Sequence, residues 1–434
     1  MPFFLKIGIK FGCSVVRKSL GGFFPYAVAP LVASIALPGV ACGEVSGQAA
    51  AWGFGANGAL GNGSSADNSV PVMPLGLASG VTAISAGNAG HAVAIQNGAA
   101  YSWGLNAVGE LGNGEDGITK GDINLHSEVP VAVVGLSSDV TAVSAGGGYS
   151  LAIQNGAVYT WGERAPSYTL RSNVPFPVPG LGSGVTTIAA SGGHALAAKS
   201  GIVYAWGGNS YGQLGDGTFT DSEVPVPVVG LTSATAISAG REHSLALQNG
   251  AAYAWGLNQY GQLGVGSLSN SNLPHLVLGL TSGVSAVAAG DDFSLAIKNG
   301  YVYAWGTNSN GQLGNGTQNL SNTLPLLVPG LPSNFVAVAA SDYSSYALTA
   351  DGELWAWGNN GNGQLALGTS GNIYLTPQHV AAPQGYRFAA IEGGSFFAVG
   401  ILVPVPEPAS PALFILGSTT LLLRRRKNKE RHSV

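Results

Sequence analysis

The chain has 434 residues, 46% hydrophobic and only 9% charged, with 67 Gly and two Cys. Glycine this abundant without a three-residue period excludes collagen, and the apolar content excludes simple disorder. The formal charge of −4 conceals basic ends: between Gly43 and Pro408 seven basic residues stand against 20 acidic ones, a formal −13 that repels phosphates and excludes a basic nucleic-acid stripe.

At the start, Lys6, Lys10, Arg17 and Lys18 precede an apolar stretch near Phe23–Val40 that closes in "LPGVACG". This reads as a long secretory signal peptide over residues 1–42, with a retained membrane anchor as the alternative. Pro25, Pro30 and Pro38 count against a stable spanning helix. Cys13 and Cys42 are the only cysteines, so a processed body has no internal disulfide. Gly39, three residues before Cys42, makes a poor lipidation box.

From Val81 the chain divides into six units, 81–139, 140–184, 185–233, 234–283, 284–334 and 335–385. Apolar alternation predicts four short strands in each. In the unit starting at Ala234 they lie near Ala236–Ser238, Ser244–Leu247, Ala252–Trp255 and Leu273–Leu278. Asn97-Gly98, Asn155-Gly156, Asn249-Gly250 and Asn299-Gly300, with the variants Ser200-Gly201 and Asp351-Gly352, predict tight hairpin turns. No helix is expected inside the body. Tyr or Trp two residues before Trp103, Trp161, Trp206, Trp255, Trp305 and Trp357 places both rings on one strand face, the face a sheet buries against the next sheet. Four strands in a period of about 50 residues make a propeller blade.

Two fragments remain. Residues 48–80 hold Trp52 and a Gly-rich phrase, and residues 386–400 hold the two strands that should precede them. Together they complete a seventh blade. The expected fold is therefore all-β, a seven-bladed β-propeller over 48–400 closed by strands from both chain ends, which removes two free sheet edges. In "VYAWGGNSYGQLGDGT", Gly207, Gly212, Gly215 and Gly217 permit tight turning after the Trp strand, Asn209 bonds the turn backbone and Leu214 anchors it. A phosphate cradle is disfavoured there because no Lys-Ser/Thr ending and no helix pattern follow.

"AWGGNSYGQLGDGT", "AWGLNQYGQLGVGS", "AWGTNSNGQLGNGT" and "AISAGREHSLAL" resemble the regulator-of-chromosome-condensation repeat family. The resemblance covers about residues 48–400 and implies a seven-bladed propeller. The family's founder stimulates guanine-nucleotide exchange on a small GTPase and binds chromatin, whereas a secreted relative inhibits β-lactamase. The fold alone does not select among such partners. Two units depart from the pattern: Gly162–Asn173 replaces the Gly-rich phrase by "GERAPSYTLRSN", and Glu115–His126 is an insertion. Neutral length variation is the plainer reading of the insertion. Its Glu115, Asp116, Asp122 and His126 are nevertheless the first place to seek a partner contact.

The C-terminal end, 405–434, carries Val405, Pro406, Glu407 and Pro408, an apolar run 409–423 shorter than a usual span, and then Arg424, Arg425, Arg426 and Lys427. This three-part order resembles the PEP-CTERM sorting signal. The resemblance implies an exosortase-type processing enzyme, transient membrane association, and delivery to a bacterial cell surface or extracellular matrix. A single-pass tail anchor is the alternative.

No motif for a cofactor or for catalysis emerges. His91, His194 and His243 share one repeat position with Tyr149 and Phe293, and exchange with aromatics argues for packing or a strand-edge hydrogen bond rather than zinc. Neither Asp216, Asp221 and Glu223 nor the insertion's acids have the spacing of a calcium loop. The sequence reading is thus a noncatalytic exported module that binds an extracellular protein or polysaccharide and no nucleic acid. A polysaccharide-active enzyme, a structural matrix component and a guanine-nucleotide exchange factor are the alternatives.

Overall fold

Each repeat unit folds as one four-stranded antiparallel sheet, and seven such sheets are present in the computed structural model, which describes residues 46–163 and 171–406. In the unit beginning at Ala234 the strands run Ala234–Ala239, His243–Gln248, Ala251–Gly256 and Ser271–Leu276, from the innermost to the outermost position. The seventh sheet is composite. Its order is Asn68–Val72, Gln48–Gly53, Phe397–Pro404, Tyr386–Gly393, so the first strands of the chain pair with its last. The closing strand extends to Pro404, four residues beyond the expected limit.

The hairpin turns follow from local chemistry. Asn97, Asn155, Ser200, Asn249 and Asn299 all have positive φ, each followed by a positive-φ Gly. Asp351-Gly352 differs: only Gly352 has positive φ, and four residues separate Ser344–Thr349 from Leu354–Asn360. The expectation of an all-strand body also needs correction. A four-residue helix, Gly117–Lys120, forms within the insertion, because Asp116 caps its start by accepting from the Thr119 amide and Gly121 ends it at φ 73°. A short 3₁₀ turn spans Ala56–Gly58.

The core is a series of clusters between sheets. Trp52, Trp103, Trp161, Trp255, Trp305 and Trp357 are fully buried, each packed against its neighbouring blade. The Gly-rich phrase supplies their polar partner. The Gln213 carbonyl of one blade accepts both the Trp255 indole N–H (2.8 Å) and the Ser244 hydroxyl (2.9 Å) of the next. The carbonyl of Gln262 does the same for Trp305 and Ser294, and that of Gln312 for Trp357 and Ser345. Glu110 serves Trp161 and Ser150, Ala59 serves Trp103, and Gln364 closes the ring onto Trp52. Trp206 is the exception. The blade before it lacks the Gly-rich phrase, among the described residues no carbonyl receives its indole, and 7% of it is exposed where the other six are at 0%.

Glycine is required beside these rings. A Cβ at Gly215 (φ +65°) would stand 2.8 Å from the Trp255 indole nitrogen, whereas one at Gly230 (φ +78°) would meet nothing within 4 Å. Both substitutions impose a left-handed alanine, so their difference isolates the clash. Gly215→Ala should be less stable than Gly230→Ala by about 1–3 kcal/mol, the usual cost of overpacking, measured by denaturant unfolding. Equal losses would show that the indole simply moves aside.

Candidate protein-binding face

Strand direction places two sets of loops at one end of the propeller. The loop after each innermost strand and the Gly-rich phrase after each third strand both lie at the end where His91 pairs with Gly104 and His243 with Gly256. The inner loops touch around the ring: Asn88 N–H donates to the Gly146 carbonyl, Gly147 N–H to the Ser191 carbonyl, and the Ser395 hydroxyl to the Asn88 carbonyl. They surround the mouth of a central channel of about 400 Å³, lined by small residues of the inner strands such as Ser85, Ser144, Ser238 and Ala288.

This mouth is chemically lopsided. The two residues before each second strand are Ala89-Gly90, Gly147-Gly148 and Gly192-Gly193 on one side. On the other they are Arg241-Glu242, Asp291-Asp292, Asp342-Tyr343 and Ser395-Phe396. Burial raises Glu242 to about 7, the Arg241 charge working against the rise. Burial also raises Asp292 and Asp342 to about 6, with the neighbouring Asp291 charge adding to each. Asp291 is raised by burial despite its ion pair with Arg241 at 3.4 Å. Glu392 faces the channel lumen, open to water yet crowded by protein on all sides, and this desolvation lifts it to about 7. Beside the carboxylates, Tyr343, Phe396 and Phe54 form a chain of rings with centroids 6.4 Å apart. Phe396 is 40% exposed.

The histidines singled out in the sequence belong to the scaffold. His91, His194 and His243 are fully buried, and each Nε2 lies 2.8–3.0 Å from a serine hydroxyl of the following blade, Ser150, Ser244 and Ser294. Those hydroxyls already donate to the loop carbonyls, so Nε2 carries the hydrogen and donates. Burial holds the three well below ordinary imidazole, at about 4, 4 and 3.

The insertion lies on the same face, but its residues do not converge on a ligand site. Glu115 pairs with Lys120 at 2.8 Å, Asp116 is engaged by Thr119 and by Asn173, Asp122 accepts from the Asn124 amide, and His126 Nδ1 bonds the Asn124 carbonyl. Asp216 and Asp221 likewise build their loop, accepting from the amides of Thr218 and Asn209. Asn209 bonds the Thr218 and Thr220 carbonyls, as its turn requires. Among the described residues no cluster of His, Cys, Asp or Glu is arranged to hold a metal ion. Val405 and Pro406 follow the last strand; Glu407, Pro408, Arg424, Arg425 and Arg426 lie outside the described residues, as do residues 1–42. Sequence reading missed the acidic half-ring. Its signal was present in "AGREHS", "AGDDFS" and "ASDYSS", where earlier units have only Gly or Ala before the same strand.

A family model described as RCC1-like domain matches residues 48–400. Among solved structures, yeast RCC1 (Prp20) bound to Kap60 is similar at TM-score 0.73 and 24% identity, covering 84% of this chain and 90% of that one. Prp20p from Saccharomyces cerevisiae, described with its binding to Gsp1p and histones, gives 0.73 at 23% identity, covering 83% and 92%. Human WBSCR16 gives 0.70 at 21% identity, covering 82% and 98%. The E3 ubiquitin-protein ligase HERC2 of Homo sapiens is 33% identical over 138 residues, 29% of this chain, and the match spans only 3% of that protein's length.

These findings uphold the repeat-family resemblance and the noncatalytic reading, and they correct the rest of the functional expectation. The PEP-CTERM signal, the exosortase partner, the extracellular protein or polysaccharide ligand, and placement at a bacterial surface or matrix find no support in them. The similar proteins are instead described with Kap60, Gsp1p and histones. The physical reason for the misreading is that a Pro-Glu-Pro, a short apolar run and a basic block are compositional features, far less specific than seven registered repeats.

The buried histidines and the raised carboxyls act on stability in opposite directions. As pH falls from 6.5 toward 3, an unfolded chain protonates His243 while the folded blade does not, so stability is lost. As pH rises from 4.5 through about 7, folded Glu242 retains a proton that the unfolded chain has released, and stability is lost in that direction. Thermal melts across this range should show Glu242→Gln gaining on the parent toward higher pH and His243→Phe gaining toward lower pH. Parallel curves would refute both assignments.

Proposed function

Because the chain belongs to the RCC1-like domain family, we propose that it works inside the cell as a noncatalytic guanine-nucleotide exchange factor. The match over all seven blades carries this reading: it spans the same loops that present the ringed face. An exchange factor needs no nucleophile and no cofactor. If it binds the nucleotide-free GTPase more tightly than the nucleotide-bound form, linkage requires that it weaken nucleotide binding by the same factor. A face bearing Glu242, Asp291, Asp292 and Asp342 suits this task electrostatically, since carboxylates brought near a bound nucleotide oppose its phosphates.

The interior of the propeller has a supporting role. Each blade is latched to the next through buried hydrogen bonds, so the loops form a preorganised surface and little ordering entropy is spent on docking. The test is release of a fluorescent GDP from Gsp1p, the partner named for Prp20p, with and without the full chain. With coupling of ordinary size expressed in the dissociation step, release is expected to accelerate about tenfold or more. Unchanged release by a chain that gives a cooperative melt would overturn the proposal.

A further inference from the structure

We propose that the acidic and aromatic half of the channel mouth is a docking site for a Lys/Arg-rich protein segment. The carboxylates come from three consecutive blades, Glu242 from one, Asp291 and Asp292 from the next, and Asp342 from the third. Among the described residues Arg241 alone offsets them locally, and it pairs with Asp291. With all four acids ionised and Arg241 included, the cluster carries a formal −3 at one side of a body already at −13.

A second observation marks the same place as unfinished. In two blades the buried Gln of the Gly-rich phrase sends its amide N–H to this ring: Gln213 to Glu242, and Gln262 to Asp292 at 3.1 Å. Gln312 holds the same pose, its Oε1 accepting from the Asn310 amide at 2.8 Å as Gln262 does from Tyr260. The residue at the corresponding position of the next blade is Tyr343 instead of a carboxylate. Its Nε2 is fully buried and has no hydrogen-bond partner. A buried amide aimed at the ring and left unpaired is costly, and a carbonyl of an incoming peptide would relieve it once the half-buried Tyr343 ring swings outward.

The aromatic rings fix the chemistry of the occupant. Tyr343 lies next to the carboxylates and Phe396 and Phe54 continue the row of rings from it, an arrangement that takes a guanidinium or ammonium by cation–π contact as well as by charge. Nucleic acid is repelled by the same charges. Burial and mutual repulsion hold Glu242, Asp292 and Asp342 above ordinary carboxylates, so a bound cation draws off protons and binding must strengthen with pH. The other groups facing this cluster are Arg241, Asp291, Asp221 and the Tyr343 hydroxyl, and Arg241 and Tyr343 keep their protons throughout that range.

The probe is a fluorescein-labelled peptide of Lys, Arg, Gly and Ser, titrated with the full chain and followed by anisotropy, beside a peptide with Glu in place of each base. Saturable binding of the basic peptide alone is expected, tighter at about pH 8 than at about pH 5. Asp292→Asn with Asp342→Asn should weaken it about tenfold, and Phe396→Ala two- to fivefold with no change in charge. Asp139→Asn with Asp351→Asn removes equal charge away from the mouth and should leave affinity nearly unchanged. Equal loss in the two charge pairs, or no saturable binding by a chain with an unaltered melt, overturns the proposal. No GTPase is present in this assay, so it stands or falls apart from the exchange reading.

Discussion

The structure depends on one shared acceptor: a backbone carbonyl in the Gly-rich phrase of one blade that takes a Trp indole N–H and a Ser hydroxyl from the next. Each bond is worth only about 1 kcal/mol net, but leaving either donor unpaired in so dry a place would cost more. The latch explains the glycines. The carbonyl reaches the rings only if the chain turns left-handed within a few residues, as at Gly212 and Gly215, with no side chain between it and the indole. Stacked faces supply non-directional burial; the latch supplies register.

Seen in these terms, the seventh blade and the second depart from the pattern in different ways. Where the chain ends meet, the Trp-to-carbonyl bond is kept: Gln364 receives Trp52, 312 residues away, and Gly368 N–H bonds the Ser69 carbonyl. Closure therefore uses the Trp-to-carbonyl bond found at five other joints, besides the pairing of Gln48–Gly53 with Phe397–Pro404. At the unit carrying Gly162–Asn173 the phrase is lost. Trp206 then packs with Tyr149 and Val178 but keeps a little exposure, and among the described residues this joint is tied instead by the Tyr149 hydroxyl, which donates to the His194 carbonyl of the next blade.

The repeating parts were legible in sequence because their causes are local. An Asn-Gly pair dictates a tight turn, and a Tyr and Trp two apart dictate one strand face, wherever the rest of the chain goes. The composite blade was legible because the two end fragments are complementary halves of one period. The helix at Gly117–Lys120 was not, since four residues offer no periodicity and only the Asp116 cap and Gly121 reveal it. The charged half-ring escaped for another reason. Arg241, Asp291 and Asp342 are about 50 residues apart in the chain, and only the stacking of consecutive blades brings these isolated charged residues into one cluster. The chain ends misled because composition was read there without any fold to check it.

The division of labour between buried latch and open rim bears on how such a propeller acquires a partner. His243, Ser244 and Trp255 lie beneath the mouth and bind the blades together, so substitution there disturbs the whole ring. The two residues just before His243 project above that layer, and in three units the same places hold nothing larger than alanine. Position by position, then, the rim carries a small residue, a charged one or an aromatic one above the same scaffold. Besides backbone bonds such as that from the Leu257 amide to the Glu242 carbonyl, the Gln amides couple the two layers. Where Gln213 and Gln262 reach Glu242 and Asp292 they hold those carboxylates in place, and where Tyr343 takes the corresponding position the Gln312 amide has no hydrogen-bond partner. A rigid, symmetric interior thus carries an asymmetric surface, and the asymmetry, rather than the fold, sets which partner the face accepts.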